Sequence, residues 1–145
     1  MTASRCEQIL AAFATVARSV TGMSAKVDRD RAQPRGASEL DRIAVDAESE
    51  DDNTGPEVPN CITITTLIVG LTIYAQRATV TTATDAIRCE LHQRLMTSSA
   101  INALVMNIVP AGRVWAPEAQ DFGAVRCRYA VTYQTSRNDL TIDHP

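Results

Sequence analysis

Near the start of the chain, apolar positions recur in a helical rhythm. Cys6, Ile9/Leu10, Phe13, Val16/Ala17 and Val20 follow every three to four residues, one stripe of a helix over about Arg5 to Thr21. Ser4 and Glu7 stand at the spacing of a capping box, and Gly22 is a natural stop. Ala25 to Ala32 alternates charged and other residues with little apolar content, which predicts a short exposed strand or extended arm. Gln33-Pro34-Arg35-Gly36 punctuates it. Ile43, Val45 and Ala47 then alternate with Arg42, Ala44, Asp46 and Glu48 as in a half-buried strand.

Asn60 to Gln76 is the strongest strand signal. Ile62 and Ile64 share one parity, while Leu67, Val69, Leu71 and Ile73 share the other. That slip of phase predicts a β-bulge near Thr65-Thr66, and Gly70 is a candidate second bend. A second helix is expected over about Thr84 to Thr97, capped by Thr82 or Thr84, with Ile87, Leu91 and Leu95 on one face. Ala103 to Val109 reads as a strand ended by Pro110-Ala111-Gly112, with Arg113 to Ala116 continuing it after a turn. Val125, Cys127, Tyr129, Val131 and Tyr133 alternate with Arg126, Arg128, Ala130, Thr132 and Gln134, the cleanest amphipathic strand in the chain.

The order is helix, strands, helix, strands. Hairpin-connected strands with two helices between them predict an α+β fold, a mostly antiparallel sheet of four to six strands with two helices packed on one face. The 145 residues fit a single domain. Two segments stand outside the regular pattern. A flexible acidic loop is expected over about 48–60, and a polar tail over about 136–145.

Charge narrows the function. The net charge is −3, which gives no electrostatic case for nucleic-acid binding. Between Asp28 and Asp52 nine acids stand against four arginines, so this segment alone exceeds the net charge of the chain. Lys26 is the only lysine among 14 basic residues. Arginine forks suit carboxylate and phosphate recognition, but codon bias in a GC-rich genome gives the same composition.

Catalytic and metal motifs do not emerge. Cys6, Cys61, Cys89 and Cys127 form no CxxC pair, and no signal-peptide pattern precedes them, so reduced structural cysteines are expected. The two histidines are His144, beside the C-terminus, and His92, three residues from Cys89 on the second helix, where a metal site would still need further ligands. Nucleophile-elbow, Walker, dinucleotide and zincin motifs are missing. The most apolar stretch, Ile62 to Ala75, is rich in Thr and short of the roughly 20 residues a membrane helix needs. A non-enzymatic chain without cofactor, metal or membrane span is expected.

Taken in order, several pieces resemble the tail terminator and related minor tail proteins of long-tailed bacteriophages. They are a first helix (Ile9, Leu10, Phe13, Val16), an arm of the form V-x-R-x-R leading to proline (Val27, Arg29, Arg31, Pro34), and a strand ending in acids (Ile43, Val45, Glu48, Glu50). A long strand of the L-x-I-Y type follows (Leu71, Ile73, Tyr74), then a D-A-I helix (Asp85, Ala86, Ile87) and a closing R-Y-x-V-x-Y-x-T strand (Arg128, Tyr129, Val131, Tyr133, Thr135). The arm is more charged than the pattern leads one to expect.

The resemblance implies a structural virion protein, made in the host cytoplasm and held at the head-proximal end of the tail. Such proteins form a ring of identical subunits, commonly a hexamer. The ring caps the tail tube, stops its polymerisation and joins it to the head–tail connector, or stopper, protein. Phage DNA passes through the lumen without specific binding. The alternatives are a head-completion or connector protein of the same neck and, from another class, a small-ligand-binding or enzymatic domain. Charge pattern and resemblance together nominate Lys26, Arg29, Arg31 and Arg35 of the arm, Glu48, Glu50, Asp51 and Asp52 of the acidic run, and Arg126 and Arg128 of the last strand as partner or ring contacts. The acidic run would serve as a docking loop or face the lumen.

Overall fold

A computed structural model describes residues 2–29, 41–53, 58–59, 61–76, 80–116 and 122–141. The elements are α1 (Arg5–Ser19), β1 (Val27–Arg29), β2 (Arg42–Asn53), β3 (Ile62–Gln76), α2 (Val80–Met96), α3 (Ser99–Asn102), β4 (Asn107–Ala116) and β5 (Phe122–Ser136). The strands form one sheet in the order β1-β2-β3-β5-β4. Only the short β1 runs parallel to its neighbour; the other pairs are antiparallel. The expected α+β architecture is thus observed, with a third, short helix added.

Helix α1 starts where the capping signal stands. The Ser4 hydroxyl accepts the Glu7 N–H at 3.2 Å and so satisfies one of the donors that the first turn leaves open. The Glu7 carboxylate does not complete the box. It accepts two bonds from the Arg29 guanidinium, at 2.8 and 3.1 Å, and so fastens β1 to α1. Ile9, Leu10, Phe13, Ala14 and Ala17 are buried against the sheet, and Gly22 takes a positive φ of 82° in the turn that follows. Helix α2 begins earlier than its cap signals suggest, which puts Thr84 inside the helix and fully buried. Leu91 and Leu95 are buried as expected, while Ile87 is half-buried.

Both long helices cover one face of the sheet. The core there joins Phe13, Ile9, Leu91, Leu95 and Ile101 to Ile43, Val45, Leu67, Val69, Leu71, Ile73, Val125, Cys127, Tyr129, Val131 and Tyr133. Phe13 meets Tyr129 edge-on, with ring centroids 6.3 Å apart.

Several sequence expectations need correction. Strand β3 contains no bulge: it pairs with β5 in unbroken register from Ile62 to Gln76. Its buried parity runs through Thr63 and Thr65 into Leu67, and Ile62, Ile64 and Ile68 take the other face. Thr65 is tolerated there because its hydroxyl donates to the Asp52 carboxylate at 2.7 Å.

The bulge lies instead on β2, between Ala47 and Ser49. The acidic residues Glu48 to Asp52 are therefore part of a strand and not a loop; of the rest of the expected loop, residues 54–57 and 60 lie outside the described residues.

Finally, Pro110-Ala111-Gly112 does not end a strand. It forms a register shift inside β4, where Gly112 takes φ 97°. An edge strand tolerates a proline there because no further strand among the described residues needs an N–H at that position. The segment after β5 is tied down as far as Thr141: the Arg5 N–H donates to the Leu140 carbonyl at 2.7 Å, and Gln8 reaches the Thr141 carbonyl at 3.2 Å.

Candidate functional site: a charged cluster on the face away from the helices

Strand alternation places Asp46, Arg126 and Arg128 on the face that carries no helix, because their neighbours Val45, Val125 and Cys127 point into the core. In register, Asp46 pairs with Gly70 and Gly70 with Arg128, while Arg126 lies one step along, opposite Thr72. The Arg126 guanidinium crosses β3 over Gly70 and fills the space a Cβ would occupy there. Gly70 is thus a crossing point and not a bend. Arg126 donates to Asp46 at 2.7 Å, to the Thr72 hydroxyl at 2.9 Å and to Glu48 at 3.2 Å. Arg128 donates to the same Glu48 oxygen at 3.0 Å.

The bulge decides which acids join this cluster. Glu48 is the extra residue of β2, without a register partner, and it stays on the same side as Asp46. After it the parity changes, as a bulge allows. Glu50 and Asp52 turn to the helix side, where Glu50 accepts the Tyr133 hydroxyl at 3.1 Å. Asp51 returns to the open face and is exposed.

Electrostatics follow the geometry. Burial pulls the Glu48 carboxyl upward, but the bonds and charges of Arg126 and Arg128 outweigh it and hold the group below its ordinary 4.5. Burial lowers the Arg126 guanidinium, and Asp46 and Glu48 raise it further still. The bond from Arg29 holds Glu7 low as well, against partial desolvation. Burial, then the hydrogen bond and charge of Glu50, push the Cys6 thiol up to about 12, so it is protonated at neutral pH and a poor nucleophile.

Two outcomes follow. Carboxyls with depressed folded pKa values contribute stability that is fully present above 4.5 and is lost as pH falls through the folded value. The urea midpoint is therefore expected to hold steady at neutral pH and to fall below that point, and a Glu7→Gln, Glu48→Gln double variant to show a shallower fall. Gly70→Ala is expected to displace Arg126 from Asp46 and Thr72. The displaced group is the flexible end of a side chain, so the loss is about 1–2 kcal/mol in urea titration and not a failure to fold.

A comparison with protein-family models gives no match, and one with curated proteins gives none either. The reading of this face therefore stands on its geometry.

The nominated residues fare unequally. Arg126, Arg128 and Glu48 come together, although nothing in sequence separation signals it. They compensate one another within the chain, where the sequence suggested separate contacts for outside partners. Arg29 is likewise engaged by Glu7, and Glu50 and Asp52 by Tyr133 and Thr65. Lys26 is half-buried at the start of β1, and its carbonyl accepts the Ile43 N–H at 2.9 Å. Asp51 is the member of the acidic run with no charged or hydrogen-bonded partner among the described residues. Arg31 and Arg35 lie outside the described residues.

Strand β5 lies inside the sheet, between β3 and β4. The sequence marks Gly70 only as a bend and not as a crossing point, and Thr72 reads as an ordinary strand residue. Among the described residues no group of three or more His, Cys, Asp or Glu could hold a metal ion, and no helix is long and apolar enough to cross a membrane. All four cysteines are free; Cys127 is buried, while Cys61 and Cys89 are exposed and therefore not core residues.

Proposed function

We propose that this chain is a structural joint of a phage tail, a ring-forming subunit that caps the tube at its head-proximal end and receives the head connector. The observation that supports this reading most is the inequality of the two sheet ends. At one end, β1 covers β2 only from Ile43 to Val45, which leaves the outer edge of β2 from Asp46 to Asn53 unpaired among the described residues. That edge is acidic. At the other end, β4 pairs only with β5 among the described residues and presents Arg113 with the exposed Val109, Val114 and Trp115. Two unlike ends on one chain suit a heterologous head-to-tail contact, which builds a ring when its rotation closes. Among the described residues, the pieces that carry the resemblance fall on α1, β1, β2, β3, α2 and β5 in that order.

The charge cluster adds to this. A subunit held between tube and connector benefits from a sheet whose central strands are cross-tied, since a ring transmits load through every subunit. Immunogold labelling of particles tests the assignment. Label at the head-proximal end of free tails is the expected result. Label on filled heads that lack tails would transfer the chain to the connector side of the same neck. Its absence from particles of either kind would remove both readings.

A further inference from the structure

A cavity of about 310 Å³ opens between α2 and the register shift of β4, and Arg128 of the charge cluster is among its lining residues. Its lining includes Arg88, His92, Pro110, Arg113, Cys127 and Tyr129, and no carboxylate among the described residues. In a chain of net charge −3 that is an unusual lining. Arg88 is tied on one side to Asp85 at 2.6 Å, yet its Nε is buried with no hydrogen-bond partner. Arg113 is exposed and has no ion-pair partner among the described residues. Both guanidiniums act on the cavity floor. They pull the Tyr129 and Cys127 pKa values down, against the larger upward push of burial. The Tyr129 hydroxyl lies 2.8 Å from His92 Nδ1, and the two rings stack. Tyr129, Pro110 and Cys127 give the cavity apolar walls.

The bulge creates this space. Pro110 pairs with Tyr129 and Arg113 with Cys127, so the intervening Ala111 and Gly112 arch away from Arg128. Trp115 follows two residues later on the same side of the strand, 44% exposed. The outer edge of β4 beside it has backbone donors and acceptors that no described strand uses.

We propose that this cavity is a docking site for a partner protein: an extended acidic segment lies along the outer edge of β4 and inserts one carboxylate side chain between Arg88 and Arg113. Charge selects the occupant. Two guanidinium groups, one with an unused buried donor, suit a carboxylate as charge-assisted acceptor. The apolar walls suit the methylene stem behind that carboxylate, and the open strand edge suits a peptide backbone. An exposed Trp beside an Arg is a common anchor pairing in protein interfaces. The site lies on one chain and does not depend on the proposed ring.

Trp115 is the only tryptophan and reports occupancy directly. The probe is a blocked hexapeptide of alternating valine and glutamate, titrated into the full chain at low ionic strength and followed by tryptophan fluorescence. A saturable change is expected, weakened about ten-fold or more when glutamine replaces glutamate and when Arg113→Ala removes one guanidinium. It is also expected to weaken as salt is added. The Arg18→Ala variant, changed at an exposed position outside the cavity, is expected to bind like the parent. No saturable change, equal binding of the glutamine peptide, or undiminished binding by Arg113→Ala would overturn the proposal. So would tighter binding of inorganic phosphate with the same spectral change, which would make the cavity a small-anion site. A change produced by raising the protein concentration alone would make the occupant a second copy of the chain.

Discussion

Phe13→Ala is expected to lower the unfolding free energy by about 3–5 kcal/mol. Phe13 is the largest of the fully buried side chains among the described residues and sits where α1 meets the sheet, edge-on to Tyr129. Removing its ring leaves a cavity between elements that belong to both halves of the chain, and the neighbouring Ala14 and Ala17 are too small to fill it. For a domain of this length the corresponding fall in Tm is roughly 10–20 °C. Thermal unfolding followed by far-ultraviolet circular dichroism measures it. A loss below about 1 kcal/mol would mean that α1 does not pack on the sheet through this residue. Phe13→Leu keeps most of the volume and is expected to recover more than half of the loss.

Arg126→Ala is expected to cost about 2 kcal/mol. The figure lies between two limits. A fully exposed ion pair contributes at most about 1 kcal/mol, and breaking a fully buried one costs about 3–5 kcal/mol. The side chains of Arg126, Asp46 and Glu48 keep 26%, 34% and 33% of their exposure, so the cluster is intermediate. The variant also leaves Asp46 and Glu48 near each other without their shared counter-charge. Urea unfolding of Arg126→Ala, Asp46→Ala and the double variant forms a thermodynamic cycle. The coupling is expected to be about 1–2 kcal/mol and to diminish in high salt. Additive losses would mean that the two side chains act independently in solution.

Those two residues also show what was legible in the chain. Phe13 belongs to a stripe that repeats every three to four positions, and the stripe names its own buried face. Leu91, Leu95 and the Val125–Tyr133 alternation are legible for the same reason. Periodicity failed where polar residues took buried sites. Thr63 and Thr65 broke the apolar pattern of β3 and suggested a bulge, although a Thr hydroxyl with an Asp acceptor is at home there. It failed again on β2 beyond Val45, because a strand open on its outer edge carries polar residues on both sides and resembles a loop.

The Arg126–Asp46 pair shows a different limit. The alternation of β5 places Arg126 on a face, but its partner lies 80 residues away. Finding it requires the strand order, the register and the Glu48 bulge together, none of which one strand encodes alone. The cavity beside Arg113 has the same origin: Pro110-Ala111-Gly112 reads as an end, and only the pairing with β5 turns it into an arch.

The proposed ring-forming joint is tested most directly by negative-stain electron microscopy of the purified protein added to growing tail tubes of the phage proposed to carry it. A terminator gives closed rings seated on one tube end, and tubes that cease to lengthen. Tubes that remain bare at both ends and keep growing at an undiminished rate would contradict it.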